Sequence, residues 1–157
     1  SYTDKPTLMR ACNIPYLIDE EIYMDAKLTV EAGTEIRMQA SSSFYIPAKG
    51  ALEIQGTSSD RVQILAEADG SSGFWKGILL QSRNSSNRIE FATIKGAGST
   101  YVRCCDQAAA IRCDDASLTI TDTEIADVTG CGLAYDGSSS VTESNISYSN
   151  VTTEVCN

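Results

Sequence analysis

Aspartate residues in the second half of the chain are the side chains with the clearest potential for chemistry. Asp114 and Asp115 are adjacent, and Asp136 follows about one repeat of the local pattern later. Carboxylate oxygens in such a group can bind Ca²⁺, and Arg103 or Arg112 beside them would be needed as the base of a lyase. Aspartate in a tight turn more commonly hydrogen-bonds its own backbone. The three residues are therefore weak calcium candidates, and we predict no catalytic residue and no cofactor.

Histidine is absent from the 157 residues, which excludes imidazole acid–base chemistry, Ser–His–Asp triads and histidine metal sites. Six cysteines in a small acidic chain indicate disulfides and an oxidising compartment, so we expect a secreted, extracellular or cell-surface protein. No Cys-x-x-Cys pair occurs, which makes a zinc site of four thiolates a poor interpretation. The disulfide candidates, whose pairing the spacing leaves open, are Cys12, Cys104, Cys105, Cys113, Cys131 and Cys156.

Two irregular segments carry candidate ligand contacts. The Gly/Ser-rich stretch 67–74 leads into Trp75, which we expect to pack against the fold, although a Trp beside a loop can also stack on a sugar. The stretch 96–107 makes one connection between predicted strands about ten residues longer than the repeat of the local pattern requires, and it carries Tyr101 and Arg103. Loops that leave a regular scaffold often hold binding residues, so these three side chains are candidate contacts.

Length and charge limit the classes of partner. A chain of 157 residues fits one domain, and its hydrophobic share of 42% is enough for a core. The net charge of −9, without a basic stripe, argues against nucleic acid and anionic membranes. It also disfavours a strongly anionic substrate such as pectate unless calcium bridges the two. No apolar run is long enough to span a bilayer, so membrane insertion is not expected.

A motif that occurs twice between residues 110 and 147 supplies the scaffold for these side chains. The offsets are about 21–23 residues, within the range of solenoid repeats. Each apolar triplet alternates as a half-buried strand does, and small turn residues separate the triplets. Three short strands cannot bury their own inward face, so successive units must stack with parallel pairing. The triplets are Ala110-Ile111-Arg112 and Gly132-Leu133-Ala134, Leu118-Thr119-Ile120 and Val141-Thr142, and Thr123-Glu124-Ile125 and Asn145-Ile146-Ser147.

Four further segments resemble those of right-handed parallel β-helix repeat proteins, the pectate-lyase-like superfamily, of the bacterial secreted or surface type. Arg61 departs from the pattern, because proline is usual at its position. The resemblance covers residues 28–149 and implies an all-β fold, a right-handed parallel β-helix (solenoid) of about six coils with three short strands per coil. The segments are LTVEAGT at 28–34, GALEIQGT at 50–57, DRVQI at 60–64 and GFWKGI at 73–78.

The resemblance divides the single domain into three parts. Residues 1–15 are expected to be an irregular lead-in that caps the first coil, residues 16–149 form the coils, and residues 150–157 are a C-terminal tail. Alternation along each predicted strand assigns the inward side chains. They are Leu28, Val30, Ile36, Met38, Phe44, Ile46, Leu52, Ile54, Val62, Ile64, Ile78, Leu80, Ile89, Ile94, Ile111, Leu118, Ile120, Ile125, Leu133, Val141 and Ile146.

This fold implies no single function, because lyases, hydrolases, adhesins and inert structural proteins share it. About six coils at about 4.8 Å each give a stack near 30 Å, barely enough for a polysaccharide groove. We therefore expect a non-catalytic secreted structural or surface protein that self-associates end to end into a filament. The alternative is a carbohydrate-binding or polysaccharide-cleaving, lyase-like β-helix protein, for which polysaccharide is the partner.

The cysteines allow a covalent version of this assembly. Cys104 and Cys105 are expected to pair with members of the group that also contains Cys113 and Cys131, or one of these two with a terminal cysteine. Cys12 and Cys156 would then remain at opposite ends of the stack, beyond the roughly 7 Å between Cα atoms that a disulfide allows. Head-to-tail contact would bring Cys156 of one molecule to Cys12 of the next and predicts an intermolecular bond. A terminal arm that folds back along the stack is the alternative.

Overall fold

The computed structural model describes residues 1–104 and 106–157, and these residues form strands, turns and bends without a helix. The strands are β1 (Tyr2–Thr3), β2 (Thr7–Met9), β3 (Tyr16–Ile18), β4 (Glu21–Met24), β5 (Lys27–Glu31), β6 (Glu35–Met38), β7 (Ser43–Ile46), β8 (Ala51–Gln55), β9 (Val62–Ala66), β10 (Gly77–Leu80), β11 (Arg88–Glu90), β12 (Ala92–Lys95), β13 (Ala109–Cys113), β14 (Ser117–Thr121), β15 (Glu124–Tyr135), β16 (Ser140–Ser144) and β17 (Ser147–Cys156).

Alternation of apolar and polar residues decides which face of each strand is buried. In β5, Leu28 and Val30 are buried, while Lys27, Thr29 and Glu31 face outward. Successive side chains of a strand point to opposite faces, so this pattern places one apolar row inside and one polar row outside. The same alternation recurs in strands such as β6, β9 and β14, whereas β10 is buried throughout.

All strand pairs are parallel, and almost every strand pairs with the third strand after it. Ladder 1 contains β1, β4, β7, β10, β13 and the C-terminal parts of β15 and β17. Ladder 2 contains β2, β5, β8, β11, β14 and β16. Ladder 3 contains β3, β6, β9, β12 and the N-terminal parts of β15 and β17. Three consecutive strands, one from each ladder, form a layer.

The core confirms the inward assignments made from the sequence. Val141 and Ile146, in the last layer, are half-buried, and every other predicted inward side chain is buried. Equivalent residues of successive layers stack in columns, for example Val30, Ile54 and Ile89 in ladder 2. Burying each aliphatic side chain contributes about 1.5–3 kcal/mol, so the columns supply the main stabilisation of the fold.

A polar residue, Asn87, interrupts one of the apolar columns. It lies one residue before the paired part of β11, level with Leu52 and Leu118 of the neighbouring layers. Its side chain is buried and joins three layers. Oδ1 accepts from the Leu52 N–H at 2.9 Å, and Nδ2 donates to the carbonyls of Ser82 at 2.8 Å and Ser117 at 3.1 Å. All the polar atoms of the buried amide are therefore paired.

The bends between ladders 2 and 3 use the left-handed backbone region. Asp122 and Asn145 have φ values of 50° and 54°, and Asn145 Nδ2 donates to Asp122 Oδ1 at 2.6 Å. Short polar side chains tolerate this conformation because they hydrogen-bond locally. Phe91 occupies the corresponding bend one layer earlier with a φ of 47°, and a bulky side chain has no such compensation.

Three details differ from the sequence-based expectations. Residues 1–15 are not wholly irregular, because β1 and β2 lie there and pair with β4 and β5. The tail also continues the pattern, as β17 runs to Cys156. The third repeated triplet was misaligned: Ile125 pairs with Tyr148, not with Ile146. The register that pairs Leu118 with Val141 continues unchanged through Ile125, and the register shift in β15 comes only afterwards, between Val128 and Cys131.

Candidate functional site

The segment between β12 and β13 places Arg103 against the outer face of ladder 1. The guanidinium carbon lies 4.5 Å from the Tyr45 ring centroid and 5.0 Å from that of Tyr23. Arg103 Nε also donates to Glu21 Oε1 at 2.8 Å, and the two side chains form an ion pair. A cation over two rings and beside a carboxylate holds the segment against the strands. Arg103, predicted as a ligand contact, is thus engaged within the molecule.

Tyrosines of three successive layers contact one another along ladder 1, and Arg103 lies over two of them, Tyr23 and Tyr45. The ring centroids of Tyr2 and Tyr23 are 5.1 Å apart, and those of Tyr23 and Tyr45 are 5.0 Å apart in an edge-on arrangement. The Tyr45 hydroxyl donates to Gln81 Oε1 at 2.8 Å, and burial raises the Tyr45 pKa. Tyr101, on the same segment as Arg103, remains 43% exposed. Tyr101 and Arg103 are both exposed, whereas the third predicted ligand contact, Trp75, is buried.

Trp75 is not a ligand contact, which corrects that part of the sequence-based prediction. Its side chain is fully buried within the apolar core. The indole Nε1 donates to the Lys95 carbonyl oxygen at 2.9 Å, so its polar atom is also paired. The expectation that Trp75 packs against the fold agrees with this burial.

The weak calcium candidates have different partners and do not form one site. Asp115 forms an ion pair with Arg83, and Asp114 Oδ2 accepts from Gln81 Nε2 at 2.5 Å. Asp136 Oδ1 accepts from the Ser138 hydroxyl at 2.7 Å and the Ser139 hydroxyl at 3.0 Å. These bonds, with that of Ser138 the strongest, lower the Asp136 pKa to about 2.

No group of three or more Cys, Asp or Glu side chains within residues 1–104 and 106–157 could hold a metal ion. Nor do these residues include a helix long and apolar enough to cross a membrane. The second arginine considered as a lyase base, Arg112, hydrogen-bonds Gln107.

The predicted disulfide between Cys156 of one molecule and Cys12 of the next is wrong. Cys156 forms a disulfide with Cys131 in the same chain, with Cα atoms 6.0 Å apart, because β17 lies beside β15. Cys12 and Cys113 are free thiols, exposed and buried respectively. Cys104 is disulfide-bonded, and Cys105 lies outside the described residues. An intramolecular disulfide is compatible with an extracellular location.

The two ends of the layer stack differ in polarity. Each strand of the first layer pairs on one edge only, and so do β16 and β17. A cavity of about 180 Å³ enters the first layer between Met9, Ile18, Met24 and Phe44. At the other end, β16 places Glu143 in the inward column directly after Ile120. The first end is therefore apolar inside, while the last carries a carboxylate.

A polar cleft of about 220 Å³ lies where ladders 2 and 3 meet, and no sequence motif predicted it. Residues from four layers line it, because stacking superimposes bends that are about 20–30 residues apart in the chain. They include Ser58, Arg61, Phe91, Asp122, Asn145 and Ser147. In the sequence, the one indication of this cleft was Arg61, which stands where the β-helix repeat proteins that the chain resembles usually have proline.

The residues that line the cleft include one cationic and one anionic side chain, Arg61 and Asp122. Asp122 is the single carboxylate among its lining residues, whereas glycoside hydrolysis ordinarily uses two. Comparison with known proteins finds no matching family model, no significantly similar curated protein and no significantly similar solved structure.

Proposed function

We propose that the chain is a right-handed parallel β-helix of about six coils, three strands per coil, and that each layer is one coil. The pairing of almost every strand with the third strand after it supports this interpretation. Crossovers between parallel strands of one sheet are right-handed in about 98% of cases, which favours that hand.

We further propose that this β-helix is a non-catalytic, secreted structural or surface protein that associates end to end. The observation that carries the proposal is the open apolar first coil. Its strands have one unpaired edge each, and the cavity exposes the ends of the inward columns. Unpaired edges pair readily with another chain unless they are protected. No cap covers these edges among the described residues.

Exposed apolar side chains are concentrated around the same end. In the described residues, the most exposed large hydrophobic side chains are Tyr2, Leu8, Ile14 and Leu17, together with Tyr101 on the segment between β12 and β13. Clustered apolar surface is a common mark of an interface. The last coil of a second copy offers three strand segments with matching spacing. A second copy of this chain is therefore the partner that we propose for the first coil.

Head-to-tail stacking in register would place Met9 of one copy over Glu143 of the next, because both lie in the same inward column. A carboxylate buried without a partner is unfavourable. The contact is consequently weak, and Glu143 limits its strength. Such a heterologous contact does not close on itself and produces linear oligomers.

Sedimentation velocity over a concentration series tests the assembly. We expect wild-type protein to show reversible, concentration-dependent oligomers and Glu143→Val to associate more strongly. Thr7→Asp, which adds a charge at the open mouth, is expected to weaken association. The matched control Thr29→Asp changes the outward face one layer further in and should behave as wild type. Monomers at every concentration for both wild type and Glu143→Val would disprove end-to-end association.

A further inference from the structure

We propose that the cleft between Arg61 and Phe91 binds a single residue of a neutral carbohydrate. This site lies at the bends between ladders 2 and 3, and its lining extends to Asn145 and Ser147 of the last layer. It does not depend on the proposed self-association. Four features carry the inference: an aromatic ring, a guanidinium with free donors, a carboxylate with a free oxygen, and the size of the cleft.

Phe91 supplies a ring that neither the backbone nor the core requires. The next two bends use Asp122 and Asn145, residue types that favour the left-handed region, whereas Phe91 adopts a φ of 47° there. Phe91 is half-buried but does not belong to the hydrophobic cluster that contains Phe74 and Tyr148. Gly56 makes room for this bend, because a Cβ on it would lie 2.1 Å from the Phe91 carbonyl oxygen. A strained, incompletely packed aromatic residue indicates a binding role.

Arg61 supplies fixed hydrogen-bond donors. Nη2 donates to the carbonyl oxygens of Ala92 at 2.6 Å and Asp122 at 2.9 Å, and Nε donates to Thr93 Oγ1 at 3.2 Å. Nη1 has no hydrogen bond within residues 1–104 and 106–157, and Arg61 has no ion pair there. The side chain is therefore held in place by three bonds while two N–H donors remain available to a ligand.

Asp122 supplies the complementary acceptor. Its Oδ1 accepts from Asn145 Nδ2 at 2.6 Å, which orients the carboxylate, and its Oδ2 has no partner among the described residues. Arginine and aspartate together give the cleft one positive and one negative charge. The cleft therefore gains little from an ionised ligand, and the chain's net charge of −9 opposes an anionic one.

These groups match the chemistry of a pyranose ring. Each sugar hydroxyl is both donor and acceptor, so neighbouring hydroxyls can accept from Arg61 and donate to Asp122. The apolar face of the ring can pack on Phe91 while the rim stays in contact with water. The volume of about 220 Å³ is below the roughly 300–1,000 Å³ of sites for drug-sized ligands. One sugar residue is the ligand that fits this size.

Binding can be tested by NMR titration with the methyl glycosides of glucose, galactose, mannose and N-acetylglucosamine. We expect at least one of them to bind with a dissociation constant on the order of millimolar, and to shift the backbone signals of Phe91 and Asn145. Phe91→Asn is expected to weaken binding about tenfold or more. The same change should keep or raise the thermal unfolding midpoint, because Asn suits the left-handed bend.

Two further variants separate binding from folding. Asp122→Asn keeps a residue that tolerates the bend but removes the anionic acceptor, and we expect it to bind more weakly. Tyr101→Ser removes an exposed aromatic residue outside the cleft and should bind as wild type. The proposal is wrong if none of the four glycosides shifts the cleft signals, if Phe91→Asn binds as well as wild type, or if methyl glucuronide binds more tightly than the neutral glycosides.

Discussion

Replacement of Asn87 by leucine tests whether hydrogen bonding or apolar pattern governs the interior at this point. Asn87 lies level with Leu52 and Leu118 in an otherwise aliphatic column. Pattern alone would make Asn87→Leu stabilising, by about 1.5–3 kcal/mol for one more buried leucine. The observed contacts predict the opposite sign.

The expected loss follows from the three hydrogen bonds of the Asn87 side chain. Each bond contributes about 1 kcal/mol net, and the change leaves the buried Leu52 N–H without its acceptor, which costs a further 1–3 kcal/mol, roughly. Leucine burial offsets part of this sum. We therefore expect Asn87→Leu to lower the free energy of unfolding by about 2–4 kcal/mol.

Urea denaturation followed by circular dichroism measures this difference. The control is Asn84→Ala, in which an exposed amide loses bonds to the backbone N–H and hydroxyl of Ser86; its effect should stay below about 1 kcal/mol. An Asn87→Leu protein as stable as wild type, or more stable, would show that the three bonds do not hold the layers together.

Three other outcomes follow from the structure. Removing the disulfide by the double change Cys131→Ser and Cys156→Ser should cost about 3.5 kcal/mol for the separation of 25 residues, and denaturation midpoints that do not change would contradict this value. The hydrogen bond from Lys27 lowers the pKa of Glu53. This bond therefore stabilises the folded protein fully above the ordinary carboxyl pKa, and the stabilisation is lost as pH falls through the lowered pKa of Glu53. Lys27→Met should therefore destabilise the protein at neutral pH by about 1 kcal/mol and have little effect in acid; equal effects at both pH values would disagree with this origin. Assays on pectate, alginate and chitin, with and without calcium, should show no cleavage, and turnover abolished by Asp115→Asn would reverse this expectation.

The repeating features of the fold were predictable because they depend on local periodicity. Ile111 pairs with Leu133 and Leu118 with Val141, as the repeated triplets indicated. The pairing of Ile125 was predicted wrongly, because Ile146 was taken as its equivalent, whereas the register that pairs Leu118 with Val141 continues unchanged and brings Ile125 to Tyr148. The local pattern does not decide between the two, because isoleucine and tyrosine both suit a half-buried strand.

The cleft and the disulfide could not be predicted because they depend on distances between layers. Arg61 was noticed as a departure from the family pattern, yet its neighbours Phe91 and Asp122 become adjacent only when the bends stack. Cysteine spacing likewise left the bond between Cys131 and Cys156 undetermined. Side-chain pairings of this kind require the register of the final strand, which the last residues of the sequence indicate only weakly.

The two free thiols make the molecule a reporter of its own opening. Cys113 is fully buried in an inward column, and burial raises its pKa to about 12, so an alkylating reagent cannot reach a reactive thiolate in the closed state. Cys12 is exposed on the same chain and reacts as an internal reference. The ratio of the two alkylation rates therefore measures how often the layer around Cys113 separates. Comparing this ratio with and without the Cys131–Cys156 bond would show whether opening spreads from the C-terminal end.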